Sequence, residues 1–306
     1  MSKSDIEFIV SPAYDVFEII DTSVLHPEYL MMWFSRKEFD RNAWFYTDAD
    51  VRGGLAWKAF EEMQLPIPRS DKQQEIVAEY NTIQNRINLN NQLIAKLEDT
   101  AQAIYKQWFV EGINVENLPE GWKMKSFTEV VKLSGGGTPD TNISAYWNGE
   151  IPFFTPVDVA VGYYSILTEK NITDKGLKNC STKLYPKNTV FVTARGTVGA
   201  IAIAGCEMAM NQSCYAISGE HPFFIHQLSL HTMSRLKNEA VGAVFGALVT
   251  KDFDSQLVIH PPKDLQAKFE NQVAKKYDYI LLKIKENQKL SDLKNLLLSK
   301  LATIEN

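Results

Sequence analysis

From Asp71 to Phe109 the chain reads DKQQEIVAEYNTIQNRINLNNQLIAKLEDTAQAIYKQWF, 39 residues without a proline or a glycine. Apolar side chains fall at Ile76, Tyr80, Ile83, Ile87, Ile94, Leu97, Ala101, Ile104 and Trp108, in steps that alternate between three and four, with Asn90 filling the one gap. That is an a/d seam, the pattern of a helix that pairs with another helix. Pro68 and Asp71 before the run and Gly112 after it are start and stop signals of the expected kind. At 1.5 Å per residue the helix is a rod of about 58 Å.

A second run, Asp264 to Ile304, has the same character. Phe269, Val273, Tyr277, Ile280 and Ile284 form one seam, and Leu290, Leu293, Leu297, Leu301 and Ile304 form another after a polar break at Asn287. Asn90 and Asn287 stand in mid-seam, where a buried Asn costs stability and fixes register. Both seams are too narrow and too long for ordinary core helices. The expectation is an antiparallel coiled-coil pair, with Ile83, Ile87, Asn90, Ile94 and Leu97 on one rod and Ile280, Ile284, Asn287 and Leu297 on the other as the pairing residues.

Outward from the helices, the chain repeats itself. Arg52-Gly53-Gly54-Leu55-Ala56-Trp57-Lys58-Ala59-Phe60 aligns with Phe245-Gly246-Ala247-Leu248-Val249-Thr250-Lys251-Asp252-Phe253, an offset of 193 residues. The same offset carries Leu65 onto Val258, Pro68 onto Pro261 and Gln73 onto Gln266, while His26-Pro27 matches His221-Pro222 at an offset of 195. The order is the tail of one unit, a helix, a complete second unit and a second helix. Residues of about 118–205 have no counterpart in the first unit.

The second unit, Trp122 to Pro262, changes pattern. Short apolar runs (Val130-Val131, Ile151–Phe154, Thr189–Val192, Ala200–Ala204, Cys214–Ile217) alternate with turn-forming stretches at 135–139, 147–149, 185–188 and 195–199. Such spacing predicts strands in a mixed or antiparallel sheet. Pro222 to Val241 reads as a helix with apolar Phe224, Leu228, Met233 and Leu236, so the unit is α+β.

Composition bounds the class. The chain has 306 residues, 45% hydrophobic and 23% charged, which suits about two folded domains with real cores. No window approaches the roughly 18–20 uninterrupted apolar residues of a membrane helix, and the beginning of the chain carries no secretion signal. Three cysteines, Cys180, Cys206 and Cys214, without CxxC spacing, argue against a disulfide framework or a zinc site and fit a reducing cytoplasm. Net charge is −5, but it is uneven: residues 1–64 carry a balance of −6, and residues 123–205 and 263–306 each carry +3. A local basic excess inside an acidic chain is a possible phosphate footprint or a solvated lysine face.

No catalytic constellation emerges. Gly135-Gly136-Gly137-Thr138-Pro139 lacks the lysine of a P-loop, and no GxGxxG follows a strand. His221, His226 and His231 recur every five residues, which on a helix points them in different directions and favours surface or packing roles over metal ligation. Pro139-Asp140 is not followed by Glu-x-Lys, and Cys214 has no nearby His in sequence, so it reads as a buried structural thiol.

Two globular units, each followed by a long helix at a fixed repeat, resemble the specificity (S) subunit of type I restriction–modification systems. The strings agree in order and spacing over essentially the whole chain. Ile9-Val10-Ser11-Pro12-Ala13-Tyr14, Arg52-Gly53-Gly54, Leu65-Pro66-Ile67-Pro68 and Gln73-Gln74-Glu75-Ile76-Val77 resemble the end of a target-recognition domain entering its helix. Leu118-Pro119-Glu120-Gly121-Trp122 resembles the entry to the next such domain, and Gly136-Gly137-Thr138-Pro139, Trp147–Pro152 and Arg195–Gly199 are similar to its loops. The resemblance implies globular α/β recognition domains joined by two long antiparallel coiled-coil helices. It divides the chain into 1–64 (the C-terminal part of a first recognition domain, truncated), 65–112 (first helix), 113–262 (complete second recognition domain) and 263–306 (second helix).

It further implies a cytoplasmic, non-catalytic subunit that reads half of a split site on double-stranded DNA, with the helices as the ruler between halves. Two modification (methyltransferase) subunits and the motor–nuclease restriction subunits are the implied partners, with a second copy of this chain or a second S-type chain supplying the other half, and no membrane. The chain itself holds no cofactor, since S-adenosylmethionine, ATP and magnesium belong to the partner subunits. Candidates for phosphate contact are Lys132, Thr138, Lys183 and Arg195, with amides of Gly136, Gly137, Gly196 and Thr197 allowing close approach. Arg195 is equally placed to take guanine, and Asn211 or Gln212 adenine, while Asn142, Asp158, Tyr163 and Tyr164 are expected on loops. The competing expectations are an S-like scaffold that pairs through its helices without reading DNA, and an enzyme whose site is not visible in the sequence.

Overall fold

Trp57–Glu61 form a five-residue helix, and Thr250–Asp254, 193 positions on, form another. The sequence repeat is thus a repeat of structure. The computed structural model describes residues 9–11, 15–47, 54–159, 162–239 and 246–301. Arg52, Gly53, Phe245, Pro12–Tyr14, Val241 and Ile304, used in the sequence reading, lie outside them.

In chain order the first helices are α1 (Pro27–Phe34), α2 (Lys37–Tyr46), α3 (Trp57–Glu61) and α4 (Ser70–Phe109). There follow β1 (Lys123–Ser126), α5 (Phe127–Val130), β2 (Lys132–Gly135), β3 (Trp147–Phe154), β4 (Tyr164–Ser165), β5 (Lys170–Ile172), α6 (Asp174–Lys178), β6 (Val190–Thr193), β7 (Ile201–Ala204), β8 (Ala209–Met210) and β9 (Cys214–Ser218). The chain closes with α7 (Pro222–Glu239), α8 (Thr250–Asp254), β10 (Leu257–His260) and α9 (Lys263–Lys300). Contacts divide it into unit one, Met1–Leu89 with Glu286–Asn306, and unit two, Asn90–Lys285.

Unit one is helical. Pro27 opens α1 behind an extended His26, a position where its missing N–H costs nothing. The buried Gln73 carboxamide accepts the His26 amide (2.7 Å) and donates to the carbonyls of Val24 (2.8 Å) and Pro68 (2.7 Å), tying the entry of α1 to that of α4. Tyr29, Met32, Ile76, Val77, Leu298 and Leu301 form the core beneath. Within this unit the two long helices run antiparallel: Arg86 pairs with Glu286 (2.6 Å) and Lys294 Nζ donates to Gln84 (2.9 Å), so one number rises as the other falls.

Unit two is built on a five-stranded sheet in the order β2-β9-β6-β7-β4, antiparallel except for the β4–β7 pair. A three-stranded sheet, β5-β3-β8, and a two-stranded one, β1-β10, complete it. β6 is buried along its whole length, and its alternation divides two cores. Val190 and Val192 face α7 and the long helices, and Phe191 faces Phe154, Met208 and Met210. Phe224, Leu228 and Met233 of α7, Ala101, Tyr105 and Phe109 of α4, and Phe269, Val273, Tyr277 and Ile280 of α9 share the first core. Burying each large apolar side chain there contributes about 1.5–3 kcal/mol. Here too the long helices run antiparallel, with Phe269 against Tyr105, Trp108 and Phe109 at ring distances of 5.4–6.1 Å.

Several expectations need correction. Val130-Val131 is no strand: Val130 ends helix α5, which begins where the Ser126 backbone amide donates to the Glu129 carboxylate, and β2 starts only at Lys132. Trp147-Asn148-Gly149 is not a turn between strands but the irregular start of β3, where the register against β5 shifts and Asn148 takes a positive φ of 58°. The long helices are more than pairing rods. In unit two Ala101, Tyr105 and Phe109 are buried at steps of four, while Ile104 and Trp108 of the expected seam are half-buried, because a straight helix drifts off a seven-residue repeat and here it packs on a globular core. In unit one Leu298 and Leu301 are buried, and Leu293 is exposed.

Candidate nucleic-acid interface

The sheet register brings together loops that lie far apart in sequence. Gly135 at the end of β2 pairs with Tyr215, and Thr193 at the end of β6 pairs with Cys214 at the start of β9. The segments following Gly135 and Thr193 and the one preceding Cys214 therefore emerge at one end of the five-stranded sheet. Ala194 N donates to Ser213 O (2.7 Å), Gly137 N to Met210 O (3.2 Å) and Asn211 N to Phe154 O (3.0 Å), which adds the turn after β3 to the group.

Glycine is required where these segments touch. A Cβ on Gly136 would lie 2.1 Å from the Asn211 carbonyl oxygen, and one on Gly137 would lie 2.1 Å from Ser181 Oγ. The Arg195–Gly199 turn joins β6 to β7 through Gly196 at φ 76°, a left-handed conformation that a side chain resists. A Cβ there would sit 3.5 Å from Pro156, so this turn rests on the turn after β3. The Thr138 hydroxyl donates to Gln212 Oε1, closing the group across the β2 and β9 loops.

The acids of this end are occupied in holding backbone. Asp158 accepts Thr155 N and Thr155 Oγ1 (both 2.7 Å) on one oxygen and Glu169 N (2.6 Å) on the other. Asp140 Oδ1 accepts Asn142 N (2.9 Å) and Nδ2 (3.1 Å). Arg195 and Lys183 are exposed, and neither side chain pairs with another described residue. Asn211 Oδ1 accepts Ser213 N (3.0 Å), which leaves its Nδ2 donor available, as is the Nε2 donor of the exposed Gln212. The surface therefore offers cations and amide donors, which suits phosphate and base edges, while the close approach at Gly136 and Gly137 is to the protein's own Asn211 and Ser181.

The structure thus gathers Gly136, Gly137, Thr138, Asp158, Arg195, Gly196, Thr197, Asn211 and Gln212, with Lys183 next to Thr182, which lies against Gly137. Asn142 lies further along the loop, on Asp140, whose carbonyl accepts Trp147 Nε1 at the start of β3. Lys132 stands apart, at the far end of β2 opposite Ser218. Tyr164 corrects the loop expectation, and Tyr163 lies on a bend but packs inward. Tyr164 lies in β4, 1% exposed, with its hydroxyl on Asn188 (3.0 Å). Tyr163 stacks on Tyr277 at 5.5 Å and bonds Glu98 of α4 through its amide (2.7 Å) and its hydroxyl (2.9 Å). Their apolar rings earn more by burial than by exposure, and burial raises both phenol pKa values. Thr155, Ser181 and Ser213 were not singled out in the sequence; Thr155-x-x-Asp158 and Asn211-x-Ser213 are the turn signals that mark two of them. Cys214 is buried behind this end, and burial with the nearby Asp158 charge pushes its thiol up to about 12, so it is a packing residue.

Of the proposed pairing residues, Ile94 and Ile280 are buried in the unit-two core, with Leu97 and Ile284 packed against it, and Asn90 is buried. Ile83, Ile87, Asn287 and Leu297 are half-buried in unit one.

Residues 119–295 match the family model described as the type I restriction modification DNA specificity domain. That is more than half of the chain, and the chain belongs to the family of type I restriction–modification specificity subunits. It is 30% identical to the type I restriction enzyme MjaIX specificity subunit of Methanocaldococcus jannaschii over 57% of this chain and 42% of that protein, so it spans less than half of that relative. It is 22% identical to the HindI specificity subunit of Haemophilus influenzae, covering 96% of this chain and 80% of the other. The fold is that of a solved type I restriction–modification S subunit from M. genitalium, with TM-score 0.58, 14% identity, and 92% of this chain and 74% of that one covered.

Proposed function

We propose that this chain is the non-catalytic, DNA-reading subunit of a type I restriction–modification complex, and that residues 113–262 are its complete recognition domain. The observation that carries the reading is the convergence of the Gly136–Thr138, Arg195–Thr197 and Asn211–Gln212 segments at one end of the sheet, with unpaired Arg195 and Lys183 beside them and the local acids bound to backbone. Lys183, Thr138 and the amides of Gly136 and Gly196 hold phosphate in this reading. Arg195, Asn211 and Gln212 take base edges.

The helices 65–112 and 263–306 act as spacer and as docking surface. Two features support that. The Glu98–Tyr163 bonds fix the recognition domain to α4. Each helix also shows solvent a second set of apolar side chains: Leu89, Leu293 and Leu296 in unit one, and Leu93, Tyr279 and Leu282 in unit two. These suit helices of two modification subunits, with restriction subunits joining that core. S-adenosylmethionine, ATP and magnesium are bound by those partners. Residues 1–64 form the tail of a first recognition domain in this reading, and the other half-site is read by a second copy of the chain or by a second S-type chain.

Methylome sequencing of cells expressing the chain with its modification subunit tests this. A split motif that changes with Arg195→Ala is expected. A base contact relaxes one position at about 1–3 kcal/mol, whereas a phosphate contact weakens all sequences alike and flattens the salt dependence. A symmetric motif supports two copies, since a two-fold pair reads an inverted repeat, and an asymmetric one supports a second S-type chain. A motif and affinity indifferent to Arg195 removes it from the interface.

A further inference from the structure

Beside the turn that carries Arg195 stands a lysine that the DNA reading does not use. The turn closes where Gly199 N donates to Thr193 O (2.8 Å), with Gly199 at φ 72°. A Cβ on Gly199 would lie 3.0 Å from Lys237 Cε and 3.9 Å from Met233 Sδ, so the end of α7 packs its side chains on this turn. Met233 is buried and Lys237 is exposed. The lysine lays its aliphatic stem over the turn and keeps its ammonium group in water. It pairs with no other described residue. Leu248, beyond α7, returns to the same end of the sheet and donates its amide to Ala194 O (2.9 Å). The acid that follows it, Asp252, is occupied in accepting Val249 N (2.8 Å).

Lys183 and Lys237 stand on opposite faces of the five-stranded sheet. Thr182, next to Lys183, accepts Met210 N (3.2 Å), and Met210 belongs to the core on the Phe191 side of β6. Met233 and Leu236, on the last turns of α7 with Lys237, belong to the core on the Val190 and Val192 side. Layers packed face to face lie about 10 Å apart, so lysines on the two outer layers start too far apart to share one phosphate. The Arg195 turn leaves the end of β6, in the layer between them. A groove of duplex DNA is bounded by both strands, so a loop that enters it has one phosphate backbone on either side.

We infer that Lys237 is a DNA-backbone contact of this chain, and that Lys183 and Lys237 take phosphates on opposite strands of the duplex, with the Arg195 turn in the groove between them. The inference rests on the DNA reading proposed above and adds to it a residue and an orientation. The sheet stands edge-on to the groove, and each outer layer supplies the cation for one strand.

The test uses the full chain, a fluorescein-labelled duplex of mixed sequence, and the split-motif duplex that methylome sequencing yields. Lys237→Ala should flatten the slope of log affinity against log salt by about 1 on the mixed duplex, because one phosphate contact releases about one counterion. Lys183→Ala should do the same, and the double variant should lose about 2. Lys237→Arg should keep the full slope. Lys187→Ala, exposed ahead of β6 at the end opposite Thr193, should leave it unchanged. On the motif duplex, phosphate ethylation interference should vanish at a position on one strand in Lys183→Ala and on the other strand in Lys237→Ala. A wild-type slope in Lys237→Ala overturns the inference and leaves the DNA reading standing. So does a loss that Lys237→Arg fails to restore, which would make the lysine a packing residue of the Gly199 turn. Interference lost on one and the same strand for both lysines overturns it too. A wild-type chain that binds neither duplex removes the DNA reading itself, and the inference with it.

Discussion

Equivalent residues of the repeat end in unequal surroundings. Phe253 of α8 is fully buried against Phe127 and Tyr215, whereas its counterpart Phe60 of α3 is half-buried among Phe17, Phe34 and Trp57. His226 of α7 is 0% exposed, and its counterpart Met31 of α1 is 39% exposed. In unit two the covering residues come from segments 119–217. Unit one, among its described residues, has no strand beyond a single bridge between Thr47 and Leu55. The repeat therefore encodes how a short helix pair docks on the start of a long helix, and the sheet decides how deeply that docking is buried.

The largest test of this contrast lies at positions 76 and 269, which the offset of 193 makes equivalent. Phe269 is fully buried among core partners that include Tyr105, Phe109 and Phe224, and Phe269→Ala should cost about 3–5 kcal/mol. Ile76→Ala removes a smaller side chain from a six-residue core and should cost about 2–3 kcal/mol. Urea unfolding of the two variants checks the order, and an equal or reversed loss would break the claim that unit two is the better-packed copy.

The second test is electrostatic. His226 bonds Tyr277 (2.7 Å), and full burial lowers its pKa from 6.5 to about 3. A depressed histidine is neutral when folded, so its contribution is present above pH 6.5 and is lost as the pH falls from 6.5 towards 3, where the unfolded chain binds the extra proton. The slope is about 1.4 kcal/mol per pH unit for one proton. Stability measured against pH in wild type and His226→Gln should differ by that slope, and parallel curves would mean that the ring is solvated.

What the sequence made legible follows periodicity. The long helices, the strands near 151–154, 189–192, 200–204 and 214–217, and the repeat are local or regular signals, and each appears in the structure within a few residues. The glycine loops were legible because close backbone approach admits no other residue, as at Gly136 and Gly137. Tyr164 was not, because a short strand beside a glycine turn looks like a loop until the sheet supplies its partner, β7, nor was the inward packing of Tyr163 on Tyr277. Nor could a seam rule foresee Tyr105 and Phe109, since the turn to a globular core follows from the tertiary contacts of Phe224 and Phe269.

A third test compares the two glutamines that the repeat equates. Gln73 makes three hydrogen bonds, to His26, Val24 and Pro68, while Gln266 donates to Pro261 (2.8 Å) and contacts His260 (3.2 Å). In both, the side chain caps the carbonyl five residues before it. Replacing either with Ala strands buried partners at about 1–3 kcal/mol, with Gln73→Ala the costlier. Amide exchange should accelerate at His26 in Gln73→Ala and near Pro261 in Gln266→Ala. Unchanged exchange at His26 would remove the cap from unit one.

The smallest effect concerns how the long helices hold together in each unit. In unit two the pairing is aromatic, with Phe269 against three rings of α4. In unit one the contact between the helices includes the Arg86–Glu286 ion pair at 2.6 Å, with Arg86 half exposed to solvent. Water screens such a pair and both long side chains lose freedom in making it, so its coupling should be only about 0.2–1 kcal/mol. A double-mutant cycle of Arg86→Ala and Glu286→Ala, read by urea unfolding, isolates that term. The coupling should shrink when salt is raised to about 1 M, where the screening length falls to about 3 Å. A cycle of Trp108→Ala with Phe269→Ala should keep its coupling at high salt, because apolar contact carries no charge to screen. If the Arg86 coupling is large and insensitive to salt, unit one is as dry between its helices as unit two, and the contrast between the copies fails at the helices as well.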